Sequence, residues 1–515
     1  MFHTNQPGKS FINEVEYRDK VRGCWTGKNI GGTLGAPFEG KRDIFDIKFY
    51  TQNLNGNPAP NDDLDLQLVW LKAIEDNGIY HLNERLLGEY WLAYITGPWN
   101  EYGVAKYNMA CGLVPPLSGS CGNEQWENSN GAWIRSEIWA CLFPGEPDEA
   151  LPFAWADACV DHAGDGIYAE LFTTALESAA FVETNLRKLI DCALCRIPSN
   201  CRVAQSVKIA IEEYDAGHDW QTARNRIVED SADIGWFQAP ANVAFVIVGL
   251  LYGEGDFGKS ICIAVNCGDD TDCTAATCGS ILGIILGRSG IPEKWIAPIG
   301  DAIKTVAIDR FQSAPPETLT ELAERVIMCK KDADQANPTL LRLTSGETVF
   351  DLELLNQLAD GKENQKRVLS RSLTAFETEL PIGVLGVEFD RVPVLNPGED
   401  IGIALSFRGT MTNCRAVTFD WQLPEGWSCA EGPSQSVMGM MGAKFSTSIR
   451  LTAGEFSDCM EYIPLIVRIS GRMTPYYATV PFRRANTTGV KAGSPDQPYW
   501  DNRNRRLAMI AESAK

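Results

Sequence analysis

The spacing of apolar residues changes once along the chain, near residue 337, and this change limits the folds that 515 residues of this sequence can adopt. Between residues 17 and 329, apolar side chains recur at intervals of three and four, and glycines separate the stretches. This period is typical of amphipathic helices. One stripe, which ends at Asn77-Gly78 as a helix C-terminus does, consists of Leu66, Val69, Trp70 and Ile74. We therefore predict a large all-α domain over residues 1–365.

Beyond residue 380, apolar and polar residues alternate, and turn-forming triplets such as Asn396-Pro397-Gly398 separate the runs. Alternation is typical of strands that bury one face. Runs of β-forming residues lie at 417–423, 446–451, 462–470 and 476–482. The predicted fold class is therefore multidomain, α and β, in which a small antiparallel β-sandwich at 378–486 follows the helical domain and a polar tail at 487–515 follows the sandwich.

Five aromatic residues of the predicted sandwich allow two interpretations, namely a sugar-stacking face or core packing. They are Trp421, Trp427, Tyr462, Tyr476 and Tyr477. Alternation along the strands turns several of these rings inward, which favours core packing.

The net charge limits the partners of the protein. The chain has 46 basic and 67 acidic residues and a net charge of −21, and so negative a surface repels nucleic-acid backbones and anionic lipids. The longest apolar runs, 241–252 and 281–286, are shorter than the ~18–20 residues of a membrane-spanning helix. No basic segment followed by an apolar one opens the chain. We expect a cytoplasmic protein without bulk nucleic-acid or membrane binding, and the sequence indicates no particular oligomeric state.

The 16 cysteines lack the spacing of a disulfide framework and lie mostly in apolar, helix-like stretches. We expect them to be reduced core residues. Cys192 and Cys195 form a CxxC motif, so a zinc or redox site is the alternative there, although no second pair lies at zinc-finger spacing.

Two acidic clusters stand directly before apolar helices. They are Asn61-Asp62-Asp63-Leu64-Asp65 and Gly268-Asp269-Asp270-Thr271-Asp272-Cys273. Carboxylates at a helix N-terminus cap free N–H groups and interact with the helix dipole, which contributes about 0.3–2 kcal/mol. Capping needs only one carboxylate, however, and three within four residues repel one another unless a cation lies between them. Because hard divalent ions take oxygen ligands, a site for two ions built from both clusters is the alternative to capping.

Two further segments are candidates for a ligand pocket. The small residues of Gly31-Gly32-Thr33-Leu34-Gly35 precede Glu39 and permit close approach either to a ligand or to a crossing helix. Asp161, His162 and the loop Gly164-Asp165-Gly166 precede another apolar helix, where a histidine is either structural or part of the pocket.

Taken in order, four segments resemble the ADP-ribosylglycohydrolase family over about residues 17–330. Arg22-Gly23 through Glu39 is similar to the family's opening pattern, RxxGxxxGxxxGDxxGxxxE. Asn61-Asp62-Asp63 stands where the family has Thr-Asp-Asp or Ser-Asp-Asp, and Asn130-Gly131 with Arg135 stands where it has Asn-Gly-x-x-x-Arg. Gly268 to Ala275 resembles the closing signature, Gly-x-Asp-Thr-Asp-Thr-x-Ala.

The resemblance implies a helical enzyme that uses two Mg²⁺ or Mn²⁺ ions, with Ca²⁺ as a further candidate. The implied metal ligands are Asn61, Asp62, Asp63, Asp270 and Asp272. The implied catalytic residues, which act on the attacking water, are Glu39 and Asp63. The implied substrate contacts are Asn130, His162, Gly164, Asp165, Gly166, Thr271 and Cys273.

Three positions depart from the family pattern: Gly32 replaces the usual Asp, Asn61 the usual Thr or Ser, and Cys273 the closing Thr. An amide oxygen can replace a hydroxyl as a hard ligand, whereas a neutral thiol is a poor ligand for Mg²⁺.

The residues and the resemblance together predict a hydrolase that cleaves the glycosidic bond of ADP-ribosylated protein or small-molecule substrates, by attack of water at the anomeric carbon. Two alternatives stay open. The first is a glycosidase of the same fold that acts on a furanoside without the diphosphate, which the three departures favour. The second is a catalytically silent ADP-ribose-binding protein, which the retained aspartates and Glu39 disfavour.

Overall fold

The computed structural model describes residues 10–409, 415–439 and 444–487. The predicted polar tail, apart from Thr487, lies outside the described residues.

The first two thirds of the described chain are helical, as predicted. The helices are α1 Glu14–Gly35, α2 Asp62–Asn77, α3 Glu84–Tyr94, α4 Asn100–Ala110, α5 Leu117–Ser120, α6 Glu137–Leu142, α7 Pro147–Ala158, α8 Gly164–Ala180, α9 Leu186–Leu194, α10 Arg202–Asp215, α11 Trp220–Asp230, α12 Ala239–Gly253, α13 Phe257–Asn266, α14 Thr271–Leu286, α15 Glu293–Ile296, α16 Arg310–Ser313, α17 Leu319–Ala336, α18 Leu352–Leu358 and α19 Lys362–Leu369. The predicted stripe around Trp70 lies on α2, which ends at Asn77 with Gly78 as its cap.

The helical part also contains one pair of strands, which the prediction of an all-α domain missed. Strand β1, Ser10–Asn13, pairs in parallel with β2, Leu341–Thr344. This pair joins the beginning of the described chain to the segment that follows α17.

Helices α1 and α14 cross at very short distance because glycines line the contact. A Cβ added at Gly27 would lie 2.0 Å from the carbonyl oxygen of Gly279, and one added at Gly23 would lie 2.1 Å from that of Gly283. Since the contacts run in opposite directions along the two helices, the end of α1 meets the start of α14. The hydroxyl of Thr271 donates a 2.8 Å hydrogen bond to the carbonyl of Gly35 at this junction.

Two five-stranded sheets enclose a second apolar core, in agreement with the predicted sandwich. The strands are β3 Ala375–Leu380, β4 Gly383–Phe389, β5 Val394–Leu395, β6 Asp400–Gly409, β7 Arg415–Trp421, β8 Ser428–Cys429, β9 Ser434–Gly439, β10 Phe445–Thr452, β11 Met460–Ile469 and β12 Tyr476–Arg484. Their order is β3-β4-β6-β10-β8 in one sheet and β5-β12-β11-β7-β9 in the other. Neighbours are antiparallel except for the parallel pair of β5 and β12.

The change from helix to strand falls between α19 and β3, at residues 370–374. The domain limits of 365 and 378 bracket this change and stay predictions. Of the five aromatic residues, Trp421 and Trp427 are buried in the core, whereas Tyr462 and Tyr477 are exposed. Core packing therefore holds for the tryptophans and does not hold for these two tyrosines.

A segment of the helical part completes the core of the sandwich. Leu113, Leu117 and Cys121, which follow α4, are fully buried within the apolar cluster of the sheets. The Tyr462 hydroxyl on β11 donates a 2.9 Å hydrogen bond to the carbonyl of Cys111. The two parts of the molecule thus share buried contacts.

The cysteines that the structure describes are all unpaired. The thiols of Cys192 and Cys195 both lie near the Arg196 guanidinium, at 3.1 and 3.3 Å. Across the described ranges, no helix combines the length and the apolar character required to cross a membrane.

We expect Gly27→Ala to destabilise the helical domain by about 1–3 kcal/mol or more, because its new Cβ would meet the backbone of α14 rather than a movable side chain. The higher helix propensity of alanine opposes this loss by only ~1 kcal/mol. Urea unfolding measures the effect. Gly88→Ala on α3 is the control, since its Cβ would meet side-chain atoms of Met109 and Pro115 at 2.9–3.1 Å and no backbone atom at such short distance. Equal stability losses in the two variants would contradict the backbone contact.

We expect Leu117→Ala to lower the free energy of unfolding by about 2–5 kcal/mol and to do so for both domains, because its side chain is buried in the sandwich core while its backbone belongs to the helical part. Hydrogen exchange under increasing urea reports the two domains separately. Leu352→Ala, at a leucine that is 75% exposed, is the control. Protection lost in the sheets alone would show that the domains unfold independently.

Candidate functional site

The two acidic clusters meet at one end of the α1–α14 crossing. Ligand atoms of Asp63, Asp272 and Cys273 lie within 4.8 Å of one another, and so do those of Glu39, Asp270 and Asp272. Asp272 belongs to both groups. Side chains from three separate stretches of the sequence therefore form one acidic centre.

The local backbone explains how the second cluster reaches this position. Gly268 and Asp269 both have positive φ, 76° and 70°, so the chain turns sharply before α14 begins. A Cβ at Gly268 would lie 2.1 Å from the carbonyl oxygen of Asp43. Only glycine fits at position 268. The turn places Asp270 at the N-cap of α14.

Two aspartates of the clusters stabilise the backbone and lie outside the ligand groups. Asp65 Oδ2 accepts hydrogen bonds from the backbone N–H groups of Val306 and Ala307, at 2.5 and 2.6 Å. Asp269 Oδ1 accepts one from the N–H of Phe237, at 2.8 Å, and its other oxygen lies 3.3 Å from the Arg42 guanidinium. For these two residues the structural interpretation is sufficient.

The carboxyl groups of Asp63, Asp270 and Asp272 are crowded and buried. Burial, and then the charge of Asp63, raise the pKa of Asp270 to about 7. Burial, and then the charge of Asp270, raise the pKa of Asp272 well above its usual value. Asp63 Oδ2 and Asp270 Oδ1 are buried and have no hydrogen-bond partner within the described ranges. A divalent cation would neutralise these groups and take up these oxygens, so the donor set fits such an ion.

Two departures from the family pattern, Gly32 and Asn61, are in direct contact. A Cβ at Gly32 would lie 2.2 Å from Asn61 Nδ2, so the amide occupies the space that a side chain at position 32 would need. Asn61 Oδ1 accepts a 2.8 Å hydrogen bond from the N–H of Asp63 and caps α2. Because one side chain fills the space that the other leaves, we interpret the two departures as one coupled change.

A small cavity of about 30 Å³ lies over the acidic centre. Because roughly 10–15 Å³ is enough for one water molecule, the cavity has room for an ion and water, and it is smaller than the ~300–1,000 Å³ of small-molecule sites. The predicted residues that line it are Glu39, Asp62, Asn130, Asp270, Asp272 and Cys273. Asn130 Nδ2 donates a 2.7 Å hydrogen bond to Asp270 Oδ2, which orients that carboxylate. Asp62 Oδ2 accepts a 3.2 Å hydrogen bond from the Tyr102 hydroxyl.

Other predicted site residues do not line this cavity. Asn61 is a helix cap, Asp63 is buried outside the lining, and Thr271 is hydrogen-bonded to the end of α1. The residues with no position in the lining also include His162, Gly164, Asp165 and Gly166.

The pocket-lining role predicted for His162 and the following loop does not match this placement. His162 is fully buried, with its Nδ1 2.8 Å from Asp161 Oδ1 and its Nε2 3.9 Å from Glu101 Oε1. Asp165 Oδ1 accepts a 2.9 Å hydrogen bond from the N–H of Val203 in α10. These residues lie behind Glu101 and join helices to each other.

Sequence reasoning missed Glu101, in the first turn of α4, which lines the cavity together with Trp99, Tyr102 and Phe237. Burial raises the pKa of Glu101 to about 7. Its Oε1 accepts a 3.2 Å hydrogen bond from the N–H of Gly131. In the sequence, Glu101 is a single glutamate after Pro98-Trp99-Asn100, as expected of an ordinary residue in the first turn of a helix. No cluster of acidic residues indicates that it belongs to a site.

Two curated relatives, both named ADP-ribosylarginine hydrolase Tri1, are 36% identical over 69 residues (Serratia proteamaculans strain 568) and 33% identical over 67 residues (Pseudomonas putida strain GB-1). Each match covers 13% of this chain and less than a fifth of the relative, 19% and 18% respectively.

A solved structure described as an ADP-ribosylglycohydrolase-related protein complex aligns with 62% of this chain and 99% of its own, at 16% identity and a TM-score of 0.42. The family model of ADP-ribosylglycohydrolase matches residues 13–335, which include the acidic centre and the cavity. The chain therefore belongs to the ADP-ribosylglycohydrolase family, a family of hydrolases.

Proposed function

We propose that this protein is a metal-dependent hydrolase that cleaves the glycosidic bond of ADP-ribosylated substrates by attack of water at the anomeric carbon. The observation that carries the proposal is the convergence of Glu39, Asp63, Asp270 and Asp272 at one small cavity, where Asp63 Oδ2 and Asp270 Oδ1 are buried and have no hydrogen-bond partner within the described ranges. The names of the two curated relatives make arginine-linked ADP-ribose the first substrate to assay.

The residues that would hold the ions form two groups, Asp63 with Asp272 and Cys273, and Glu39 with Asp270 and Asp272. Their oxygen-rich chemistry favours Mg²⁺ or Mn²⁺ and also permits Ca²⁺. Asn61 as a further oxygen ligand, and Asp62 as a ligand from the cavity wall, belong to the same proposal. When bound, a divalent ion supplies positive charge and orients oxygen ligands such as ribose hydroxyls.

Two carboxyl groups of the cavity are suited to proton transfer. Glu39 lines the cavity and is proposed to accept a proton from the attacking water, because Asp63, the other candidate, is not among the lining residues. Glu101 stands in the opposite acidic group, with Asp161 and His162. Since its pKa is raised to about 7, it can hold a proton at neutral pH and donate it to the leaving group.

Three aromatic side chains form part of the remaining cavity wall. Trp99, Tyr102 and Phe237 line it, and such rings can stack on a base or a sugar. Asn130 contributes an amide beside Asp270. We propose that these side chains position the substrate over the acidic centre, so that orientation provides much of the rate enhancement.

A second candidate is a glycosidase of the same fold that acts on a furanoside without the diphosphate. One observation favours it: among the described residues that line the cavity, none is Lys or Arg. A diphosphate would therefore find no direct cationic partner there. The third candidate, a silent ADP-ribose-binding protein, would bind the ion and ADP-ribose as the enzyme does but would not turn over a substrate.

Unpaired cysteines throughout the described chain support the proposal of a cytoplasmic, reducing environment.

We expect metal-free wild-type protein to bind Mg²⁺ or Mn²⁺ in calorimetry and to bind ADP-ribose only when the ion is present. Asp270→Asn removes one negative charge and replaces one carboxylate oxygen by an NH₂ group, so ion affinity should fall by at least ~10-fold and ADP-ribose binding should be lost. Asp165→Asn is the control, because Asp165 is outside the cavity and asparagine retains its capping oxygen. Ion binding without ADP-ribose binding would favour the furanoside candidate, and absence of ion binding would refute the metal centre.

We expect kcat/KM of the wild-type enzyme to decline above a pKa of about 7, because a general acid is active only in its protonated form. Glu101→Gln should lose roughly 10²–10⁴-fold in kcat and should no longer show this alkaline limb. Glu127→Gln is the control, since Glu127 is half-buried near His162 but does not line the cavity. An alkaline limb that persists in Glu101→Gln would assign the pKa to another group.

A further inference from the structure

We propose that the two ion positions of this centre differ in chemistry, and that Cys273 makes one of them a mixed sulfur and oxygen position for a thiophilic divalent ion of the zinc, cobalt or cadmium class. The other position has only oxygen ligands and suits Mg²⁺ or Mn²⁺. This inference rests on the proposed metal centre and adds to it the identity of one ion.

The geometry of the thiol carries the inference. Cys273 Sγ lies 3.3 Å from Asp63 Oδ1 and donates a hydrogen bond to it. The same sulfur, one Asp63 oxygen and one Asp272 oxygen lie within 4.8 Å of one another. Zinc holds oxygen and sulfur ligands at about 2.0–2.3 Å, so three atoms at this mutual spacing are close to the arrangement around one ion.

A second observation points to a ligand at this position. Asp63 is 1% exposed, and its Oδ2 has no hydrogen-bond partner in the part of the chain that the structure describes. A buried carboxylate oxygen in that state is costly unless a cation or a donor reaches it. The sulfur position therefore combines the Cys273 thiol with Asp63, a carboxylate that has one oxygen beside the sulfur and a second, buried oxygen that requires a partner.

The second group provides the contrast. It consists of carboxylates from Glu39, Asp270 and Asp272 and contains no sulfur. Soft thiolate ligands favour zinc and related ions, whereas carboxylates suit magnesium and manganese. Because Asp272 belongs to both groups, one carboxylate would bridge two unlike ions.

When an ion binds at the sulfur position, it replaces the proton of the Cys273 thiol. The S–H bond of Cys273 breaks, the sulfur–metal bond forms, and the proton passes to the solvent. No oxidant or reductant takes part.

The test uses the full-length protein freed of metal with a chelator and titrated with Co²⁺ as the probe. We expect the first equivalent of Co²⁺ to produce the near-ultraviolet band of sulfur-to-cobalt charge transfer. Cys273→Ser should lose this band and bind Co²⁺ at least ~10-fold more weakly, while its calorimetric affinity for Mg²⁺ stays the same. Cys278→Ser is the matched control, because Cys278 is a fully buried cysteine of the same helix and belongs to neither ligand group.

The possible results separate this inference from the proposed function. Co²⁺ binding without the charge-transfer band, or a band that persists in Cys273→Ser, would overturn the role of Cys273 and leave the metal centre intact. Failure of wild-type protein to bind Co²⁺, Mn²⁺ or Mg²⁺ would overturn the metal centre and the inference together. If Cys273→Ser does not fold, Cys273→Thr replaces it, and cadmium NMR of the wild-type protein reports directly whether sulfur is bound to the ion.

Discussion

The close approach of α1 and α14 is the contact on which the rest of the structure depends. Four glycines of α1, spaced by four residues, face the backbone of α14. They are Gly23, Gly27, Gly31 and Gly35. With side chains at these positions the helices would have to separate, since a Cβ at Gly31 would lie 2.0 Å from the carbonyl oxygen of Ala275. The antiparallel crossing then brings the loop that carries Glu39 beside Asp270 and Asp272. One packing contact thus creates both the core of the domain and the acidic centre.

This arrangement buries several carboxylates close together, and their desolvation and mutual repulsion oppose folding. Burial raises the pKa values of Asp63, Asp270 and Asp272, in each case with a contribution from a neighbouring carboxylate. Lys28 lies close enough to lower the pKa of Asp63, but its ammonium is paired with Glu137 at 2.7 Å. This buried cation is therefore already paired with another carboxylate. A bound divalent ion would remove the repulsion and stabilise the folded state at the same time as it completes the site.

Most of the fold could be predicted from the chain because each part follows a simple period. The stripe around Trp70 and the alternation around Ile403 reflect burial of one helix stripe or one strand face. The paired clusters were predictable for a different reason, since Asp62-Asp63 and Asp270-Thr271-Asp272 exceed what capping requires. The period of apolar residues and the density of acidic residues do not identify a single residue whose role depends on tertiary contacts.

Glu101 and His162 illustrate this limit. Glu101 is one carboxylate in a first helical turn, and only the placement of α4 against the cavity distinguishes it from a cap. His162 stands in a segment that resembles a pocket loop, yet its ring lies between Asp161 and Glu101. The contact of Asn61 with Gly32 has the same character, because positions 29 residues apart in sequence give no sign that one fills the space left by the other.

Helix α4 connects the cavity wall to the core of the sandwich. Its first turn carries Glu101 and Tyr102 into the cavity wall, and Tyr102 donates a hydrogen bond to Asp62. Its other end leads into residues 111–121, whose leucines are buried between the two sheets. A helix that is held at both ends cannot tilt without breaking one of these contacts. The sandwich thus restrains the position of the wall that faces the acidic centre, although none of its residues lines the cavity within the described ranges.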